Sequence, residues 1–167
     1  HKGLYWSKVP GTLAAKTVEP TEDYILPFGK ANTVLAADAA KVDSGESMLV
    51  VTYGMGVHWS LNAAKNFEGK VEILDLRTLT PLDEDAITEA VKKHNRCLVV
   101  TEDAVGNSFA RNLSGWIQEM CFEYLDAPVM TIGAENMPAI PLNSTLEQTM
   151  IPSAEKVVAK MRFLLGY

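Results

Sequence analysis

The residues that could do chemistry gather where predicted strands end. Open parallel sheets bind ligands in a crevice at the carboxyl ends of their strands. Those positions hold two glycines, a histidine, an arginine and several carboxylates: Gly54, Gly56, His58, Asp75, Arg77, Glu102 and Asp103. Glycines there could let backbone amides reach a phosphate, and a histidine or a carboxylate could transfer a proton. The pattern predicts a strand-end pocket whose candidate residues are Gly54, Gly56, His58 and Glu102.

The GMG sequence at 54–56 partly matches the fingerprint of a dinucleotide-binding domain. It follows a predicted strand and opens a predicted helix, and Asp75 lies about 20 residues after Gly54, where an acidic residue would hold a ribose. Trp59, however, takes the place of the third glycine, and an indole there would block the approach of a pyrophosphate. A nucleotide-binding α/β domain that uses the 54–59 turn is therefore the alternative from another functional class.

The other candidates have ordinary structural interpretations. His58 is favoured as a partly buried histidine at a helix start, bonded to the backbone. Glu102 and Asp103 could act as acid and base, but adjacent residues at a strand end usually point apart, so Glu102 could instead bind backbone amides. Arg77 has no phosphate loop beside it. Because a guanidinium suits a carboxylate, we predict that Arg77 forms an ion pair within the domain or across a subunit boundary.

The composition narrows the class of partner. The chain has 167 residues and a net charge of −6. That charge argues against nucleic acid, because a phosphate-binding surface needs clustered lysine and arginine. No apolar run approaches the length of a membrane span. Cys97 and Cys121 lie in apolar sequence and indicate buried thiols in a reducing compartment.

Apolar runs alternate with amphipathic stretches and predict an α/β sheet. We expect strands at 32–38, 48–54, 71–76, 97–101 and 128–132. We expect helices at 57–67, 84–94, 108–123 and from Ser153 onward. Turn chemistry is predicted between the first two strands, and residues 1–28 are predicted to be an extended connector.

The predicted helices each have a cap or an apolar face. Asp83 and Ser153 are expected to cap the helices that follow them. The inner faces are predicted at Ile87, Ala90 and Val91; at Phe109, Leu113, Met120 and either Trp116 or Ile117; and at Val157, Met161 and Leu164. These positions follow the spacing of one side of a helix.

About twenty residues before Pro152 contain no predicted element. A loop of that length inside a domain is uncommon unless it binds something. Met137, Ile140 and Met150 would then be exposed, and we interpret the segment as an interface.

Six segments occur in a recognisable order. They are KGLYWSKV (2–9), YILPFGKA (24–31), LVVTYGMGVHWSLNAA (49–64), VEILDLRTLTPLDEDAI (71–87), CLVVTED (97–103) and LDAPVMTIGAENMPAIP (125–141). Together they resemble the C-terminal domain of the transketolase superfamily. The resemblance is closest to the beta subunit of the thiamine-diphosphate-dependent 2-oxo acid dehydrogenases of the pyruvate and branched-chain 2-oxoisovalerate type. DLRTLTPLD is the most specific match.

The resemblance implies a particular fold and organisation. It implies a three-layer αβα sandwich around a five-stranded mixed sheet whose first strand is antiparallel to the others. Residues 29–167 would form a transketolase C-terminal-like domain. Residues 1–28 would connect it to an upstream pyrimidine-binding domain, so the chain would be a fragment of a longer protein.

The resemblance also implies a role in assembly and docking rather than in catalysis. The full enzyme would decarboxylate a 2-oxo acid on thiamine diphosphate, with Mg, and would transfer the acyl group to lipoamide. In this family the cofactor lies between two other domains, so we expect no catalytic, cofactor or metal residues here. A domain of a transketolase or a deoxyxylulose-phosphate synthase is the alternative within the superfamily.

The partners implied by the resemblance are a second beta subunit, an alpha subunit or fused alpha part, and a lipoyl acyltransferase core. The compartment would be the bacterial cytoplasm or the mitochondrial matrix. The acyltransferase's small basic peripheral-subunit-binding domain would meet an acidic patch, for which Glu123, Asp126 and the carboxylate of Tyr167 are candidates. Trp116 is a candidate for the contact between copies.

Overall fold

The computed structural model describes residues 20–167, which form a mixed sheet of five strands. The strands are β1 (Asn32–Leu35), β2 (Met48–Thr52), β3 (Val71–Asp75), β4 (Cys97–Ala104) and β5 (Met130–Ala134). Their order across the sheet is β1-β3-β2-β4-β5. β1 is antiparallel to β3, and the other neighbours are parallel. The predicted sheet with an antiparallel first strand is confirmed, while residues 1–19 of the predicted connector lie outside the described part.

The helices of the described part lie between and after these strands. They are α1 (Ala39–Asp43), α2 (Met55–Ala64), α3 (Glu84–His94), α4 (Phe109–Met120), α5 (Ser144–Met150) and α6 (Ala154–Leu164). A 3₁₀ turn, Phe122–Tyr124, follows α4. Two of these helices correct the sequence analysis. α1 occupies the predicted turn between the first two strands, and α5 occupies the predicted loop before Pro152.

Both unexpected helices are too short to show a helical period in sequence. The carbonyl of Asp38 accepts from the amides of Lys41 and Val42 and starts α1. The side-chain oxygen of Asn143 accepts from the amides of Thr145 and Leu146 and starts α5. Local hydrogen bonds, rather than an apolar stripe, therefore mark these two elements: backbone bonds alone start α1, and a side-chain cap starts α5.

The central strands divide their side chains between two helical layers. Met48 and Val50 of β2 pack with α2 and α6, whereas Leu49 and Val51 pack with α3 and α4. Every residue of β2 is buried. A continuous apolar run is typical of a strand covered on both faces, because each successive side chain enters a different layer. The three-layer αβα sandwich is thus confirmed.

The capping and burial predictions hold for α3 and α6. The Asp83 carboxylate accepts from the amide of Ala86, and the Ser153 hydroxyl accepts from the amide of Lys156. The predicted inner-face residues of both helices are buried: Ile87, Ala90, Val91, Val157, Met161 and Leu164.

The predicted inner face of α4 is partly wrong. Leu113 and Ile117 are buried, but Met120 is 60% exposed. Residues four apart lie on one side of a helix, and the row Leu113–Ile117 continues to the buried Cys121 rather than to Met120. Trp116 is half-buried beside this row.

The strand limits also differ by a few residues from the prediction. β5 starts at Met130 rather than at Pro128, because proline has no amide hydrogen and the amide of Val129 donates to Gln118 Oε1 at 2.9 Å. β1 ends at Leu35, and its pairing with β3 is irregular after Thr33.

Gly56 lets the first turn of α2 lie directly on the sheet. A Cβ atom there would overlap the hydroxyl of Thr52 and would come within 3.0 Å of the Val100 carbonyl oxygen. Thr52 Oγ1 donates to that same carbonyl at 2.9 Å. The contact joins α2, β2 and β4, so this glycine serves packing.

Alanine substitutions at two glycines should therefore change stability in opposite directions. Gly56→Ala should lower the free energy of unfolding by about 1–3 kcal/mol, because the added methyl displaces Thr52 or the helix. Gly115→Ala is the control: it lies within α4 with nothing near its Cβ position. It should raise stability by about 0.5–1 kcal/mol. Urea unfolding measures both, and an unchanged Gly56→Ala variant would refute the close approach.

Candidate functional site

The candidate residues form two groups at opposite ends of the strands. One group lies where the parallel strands end (the carboxyl edge), and the other lies where they begin (the amino-end edge). Gly54, Asp75 and Glu102 lie at the carboxyl ends of parallel strands, whereas Glu123 and Asp126 precede β5. Tyr167 follows α6, which returns to the amino-end edge. A strand of five residues spans roughly 16 Å, so the two groups cannot form one site.

A cleft of about 620 Å³ lies at the carboxyl edge. Its lining includes Tyr53, Glu102, Asp103, Phe109, Glu135 and Met150. Of the four predicted pocket residues, Gly54 and Glu102 line this cleft, and Gly56 and His58 do not. The sequence analysis did not find Tyr53, which lies between β2 and Gly54. It also missed Phe109 and Glu135, because they come from α4 and from the segment after β5, far apart in sequence.

Glu102 and Asp103 both border the cleft, although adjacent strand residues were expected to point apart. The pairing of β4 with β5 is irregular between Val100 and Ala104, which removes the strict alternation of sides. The Asp103 amide donates to Thr101 Oγ1, and the amide of Ala104 donates to Asp103 Oδ1 at 2.8 Å. The backbone amide bond proposed for Glu102 is thus made by its neighbour.

An aromatic pair forms one wall of the cleft. The rings of Tyr53 and Phe109 meet edge to face, with centroids 5.8 Å apart. Thr101 Oγ1 donates to the phenolic oxygen of Tyr53 at 2.9 Å. Burial raises the pKa of Tyr53, and the nearby charge of Asp103 adds to this rise. Tyr53 is therefore held in place as a neutral phenol.

Arg77 makes a backbone contact where the sequence predicted an ion pair. Its φ angle is 58°, and its amide donates to Asp75 Oδ1 at 3.1 Å. No ion pair joins its guanidinium to a residue within 20–167. The carboxylate of Asp83, the helix cap six residues further on, already accepts from the amides of Ala31 and Ala86. The expected pair within the domain is wrong for the described residues, and a pair across a subunit boundary stays a prediction.

Asp75 is a second titratable group at this edge whose pKa departs from its usual value. Burial raises its pKa, while the Arg77 amide and the charges of Arg77 and His58 oppose that rise. His58 is half-buried on α2. The backbone bond expected for His58 is not found within residues 20–167.

The amino-end edge contains a buried polar network that the sequence analysis missed. Ser47 Oγ lies 2.7 Å from His94 Nδ1, and His94 Nε2 lies 3.2 Å from Glu72 Oε2. Lys93 Nζ donates to the same carboxylate oxygen at 2.6 Å. Ser47, Glu72 and His94 are almost inaccessible to solvent. The residue types match those of a serine–histidine–acid catalytic triad, but substrates cannot reach the network because it is buried. It links α3 to β2 and β3 instead.

These contacts lower the pKa of Glu72 to about 2. The close contact with His94 is the largest cause, and the contact with Lys93 adds to it against the opposing effect of burial. The sequence signal was a charged residue inside the apolar strand VEILD, but its partners lie on α3.

The docking candidates are exposed at the amino-end edge. Glu123 lies in the 3₁₀ turn, and an Asp126 oxygen lies 3.8 Å from Arg96 Nη2. Tyr167 is 58% exposed and packs edge to face on Phe163. The acidic turn is therefore accompanied by a cation, Arg96.

Residues 20–167 contain no group of three or more His, Cys, Asp or Glu side chains arranged to hold a metal ion. Among the described helices, none combines the length and the apolar character that a membrane crossing requires.

The fold defines the class: a three-layer α/β domain with an antiparallel edge strand. The family described as the transketolase C-terminal domain matches residues 37–157. The chain belongs to this family, which confirms the resemblance.

Three relatives refine the position within that family. The 2-oxoisovalerate dehydrogenase subunit beta of Bacillus subtilis (strain 168) is 37% identical over 151 residues, which cover 89% of this chain and 44% of that protein. The pyruvate dehydrogenase E1 component subunit beta of Rhizobium meliloti (strain 1021) is 32% identical over 144 residues, covering 84% of this chain and 29% of that protein. The acetoin:2,6-dichlorophenolindophenol oxidoreductase subunit beta of Cupriavidus necator is 36% identical over 146 residues, which cover 86% of this chain and 40% of that protein. The chain thus spans less than half the length of these relatives.

A solved structure is similar in fold. The split gene transketolase, an inactive beta4 tetramer, has a TM-score of 0.66 and 18% identity, and the match covers 87% of this chain and 45% of that one. At this identity the likeness concerns the fold alone.

Glu72→Gln should destabilise the domain near neutral pH by about 2 kcal/mol, and the deficit should shrink in acid. The pKa of Glu72 falls from 4.5 to about 2 on folding. Its contribution is therefore complete above pH 4.5 and is lost as the pH falls through about 2. Urea unfolding between pH 7 and pH 2 measures this difference.

Glu46→Gln is the control for the Glu72 experiment. The pKa of Glu46 is also about 2, because Lys70 and Lys41 contact it, but Glu46 lies at the surface, where its side chain is 45% exposed. Solvent screens exposed ion pairs, so this variant should change stability less than Glu72→Gln. A Glu72→Gln deficit that does not vary with pH would show that lost packing, not lost charge, is responsible.

Proposed function

We propose that this chain is the C-terminal assembly and docking domain of the decarboxylating component of a 2-oxo acid dehydrogenase complex. The observation that carries the proposal is the 37% identity to a 2-oxoisovalerate dehydrogenase beta subunit over 89% of the chain. The full enzyme would decarboxylate a 2-oxo acid oxidatively and transfer the acyl group to lipoamide. Its partners would be an alpha subunit or fused alpha part, a second beta subunit and a lipoyl acyltransferase core.

The described residues do not fit thiamine diphosphate. A protein-bound diphosphate is usually held through Mg²⁺ with carboxylate ligands, or by a glycine-rich turn at a helix start. No metal-ligand group occurs within residues 20–167, and the cleft is lined by three carboxylates, which repel phosphate. We therefore assign the cofactor and Mg of the full enzyme to residues outside this part, and we propose that the described domain is not catalytic alone.

The nucleotide-binding alternative is disfavoured by the 54–59 turn. Gly56 packs against Thr52 and Val100 rather than facing a ligand, and Trp59 packs at the edge of the core. A transketolase or deoxyxylulose-phosphate synthase domain shares the fold, but the curated relatives described above are dehydrogenase and oxidoreductase beta subunits.

We place the protein in a bacterial cytoplasm or a mitochondrial matrix, where the buried thiols Cys97 and Cys121 would stay reduced.

The amino-end edge is the proposed docking surface for the acyltransferase. Glu123 and Asp126 offer exposed negative charge, and Phe122, 70% exposed, offers apolar area beside it. Interfaces commonly combine an apolar centre with a charged rim. A small basic peripheral-subunit-binding domain matches this combination, and charge contacts would make its association fast and sensitive to salt.

Glu123→Lys combined with Asp126→Lys should weaken binding of the cognate peripheral-subunit-binding domain by at least about tenfold, roughly 1.4 kcal/mol. The loss comes from replacing attraction by repulsion, and it should diminish as salt is raised. Calorimetric titration at low and high salt measures it.

Glu102→Lys combined with Glu135→Lys is the matched control, because it makes the same change of charge at the opposite edge. The control should retain binding. Equal losses of affinity in the two double variants would show that net charge, rather than the acidic turn, causes the effect. Unchanged affinity of the Glu123→Lys, Asp126→Lys variant at low salt would place docking elsewhere.

The segment after β5 is the proposed contact between copies. Leu142 is fully exposed and Leu146 is 55% exposed, so α5 and the residues before it present apolar area outward. Met150 is buried, contrary to the sequence prediction, and cannot contribute. Half-buried Trp116 packs into the α4 layer, so its substitution would test packing as well as contact.

Sedimentation of the chain should detect a dimer that forms with increasing concentration. Leu142→Asp combined with Leu146→Asp should raise the dimer dissociation constant at least about tenfold, because buried apolar area is replaced by charge. Met120→Asp tests the competing α4 surface, since Met120 is exposed there. A larger effect of Met120→Asp would move the contact to α4, and a monomer at every concentration would refute self-association.

A further inference from the structure

The cleft at the carboxyl edge has the form of a small-molecule site. Its volume of about 620 Å³ lies within the range of ligand pockets. Of its lining residues, Met150 is buried, and Tyr53 and Phe109 are half-buried. Met137 and Ile140, both at least half exposed, complete its apolar lining. The cleft is open to solvent on one side, so an apolar group bound against this lining would be partly removed from water.

The charged residues of the cleft are all acidic. Glu102, Asp103 and Glu135 are exposed and border it, and its lining contains no lysine, arginine or histidine. Asp103 uses one oxygen to accept from the amide of Ala104, which fixes its position. The three carboxylates come from β4 and from the residue after β5, so the fold, not a run of acidic sequence, brings them together.

The aromatic pair adds a second feature that favours positive charge. Cations are attracted to the faces of aromatic rings, and the attraction grows where water is excluded. Phe109 and Tyr53 stand edge to face, and Thr101 holds the phenolic oxygen of Tyr53. Aromatic rings beside unpaired acidic groups are typical of sites for organic ammonium ions.

We propose that this cleft binds an organic cation, a protonated amine or a quaternary ammonium carried on an apolar body. The apolar body would lie against Phe109, Met137 and Met150, and the cationic group would face the carboxylates. Phosphorylated ligands are excluded by the same charges. A bare metal ion is excluded because residues 20–167 include no suitable group of ligands. The site is separate from the docking surface, which lies at the other edge. It shares the segment after β5 with the proposed contact between copies, but Leu142 and Leu146, the residues substituted to test that contact, do not line it.

Three compounds that share one apolar body test the proposal: phenylbutylamine, phenylbutanol and phenylbutyrate. Each is titrated into the ¹⁵N-labelled chain at neutral pH and physiological salt, and amide shifts are followed by NMR. The amine should saturate shifts at residues 101–109 and 134–140 with a dissociation constant below about 1 mM. The alcohol should bind at least about fivefold more weakly, and the carboxylate should not saturate.

Variants separate charge from apolar contact. Glu102→Gln and Glu135→Gln should each weaken binding of the amine about threefold to fivefold and leave the alcohol unchanged. Glu123→Gln with Asp126→Asn removes charge at the opposite edge and should alter neither ligand. Unchanged urea midpoints confirm that the variants are folded.

Three results would overturn the proposal. Equal affinities for the amine and the alcohol would leave an apolar groove without a preference for cations. Tighter binding of phenylbutyrate would reverse the assigned charge. Failure of the amine to saturate any cleft resonance at about 10 mM would remove the site, whatever the outcome of the docking experiment.

Discussion

The double burial of β2 and β4 is the constraint on which the rest of the molecule depends. In β4, as in β2, successive side chains enter different helical layers. Leu98 and Val100 pack in one layer, and Val99 packs in the other. Loss of either helical layer would expose half of each strand to water, and buried apolar area is the main favourable contribution to folding. The helices therefore have little freedom to move on the sheet, and Gly56 shows how closely one of them approaches it.

A core of this kind leaves the edges for function. Side chains within β2 are fully occupied by packing, so groups free to meet a ligand arise where a strand ends or where its pairing becomes irregular. The carboxyl edge gains a cleft because β4 extends beyond its neighbours and α5 lies beside it. The amino edge is instead closed by the network around Glu72, and the turn after α4 presents two exposed carboxylates there. The two edges can thus serve different partners without sharing residues.

The sequence was sufficient where a signal is local and repeated. Asp83 as a helix cap, the continuous apolar run of β2 and the inner face of α6 could all be recognised, because each depends on nearby residues. The antiparallel first strand followed only from the family resemblance. α5 was missed because seven residues are too few to display a period. The cleft was only half predicted, since Gly54 and Glu102 follow strands, whereas Phe109 and Glu135 join them through the tertiary fold.

The carboxylates show why the type of a residue does not decide its role. The carboxylate of Asp83 accepts hydrogen bonds from two backbone amides. The buried carboxylate of Glu72 contacts a histidine and a lysine. Glu102 stands at the end of a strand just as Asp75 does, yet only Glu102 borders the cleft. A carboxylate satisfied by the protein contributes to stability, because its charge is already paired. One that remains exposed beside apolar surface can contribute to recognition instead, and in this domain such carboxylates lie at the end of β4, after β5 and in the turn after α4.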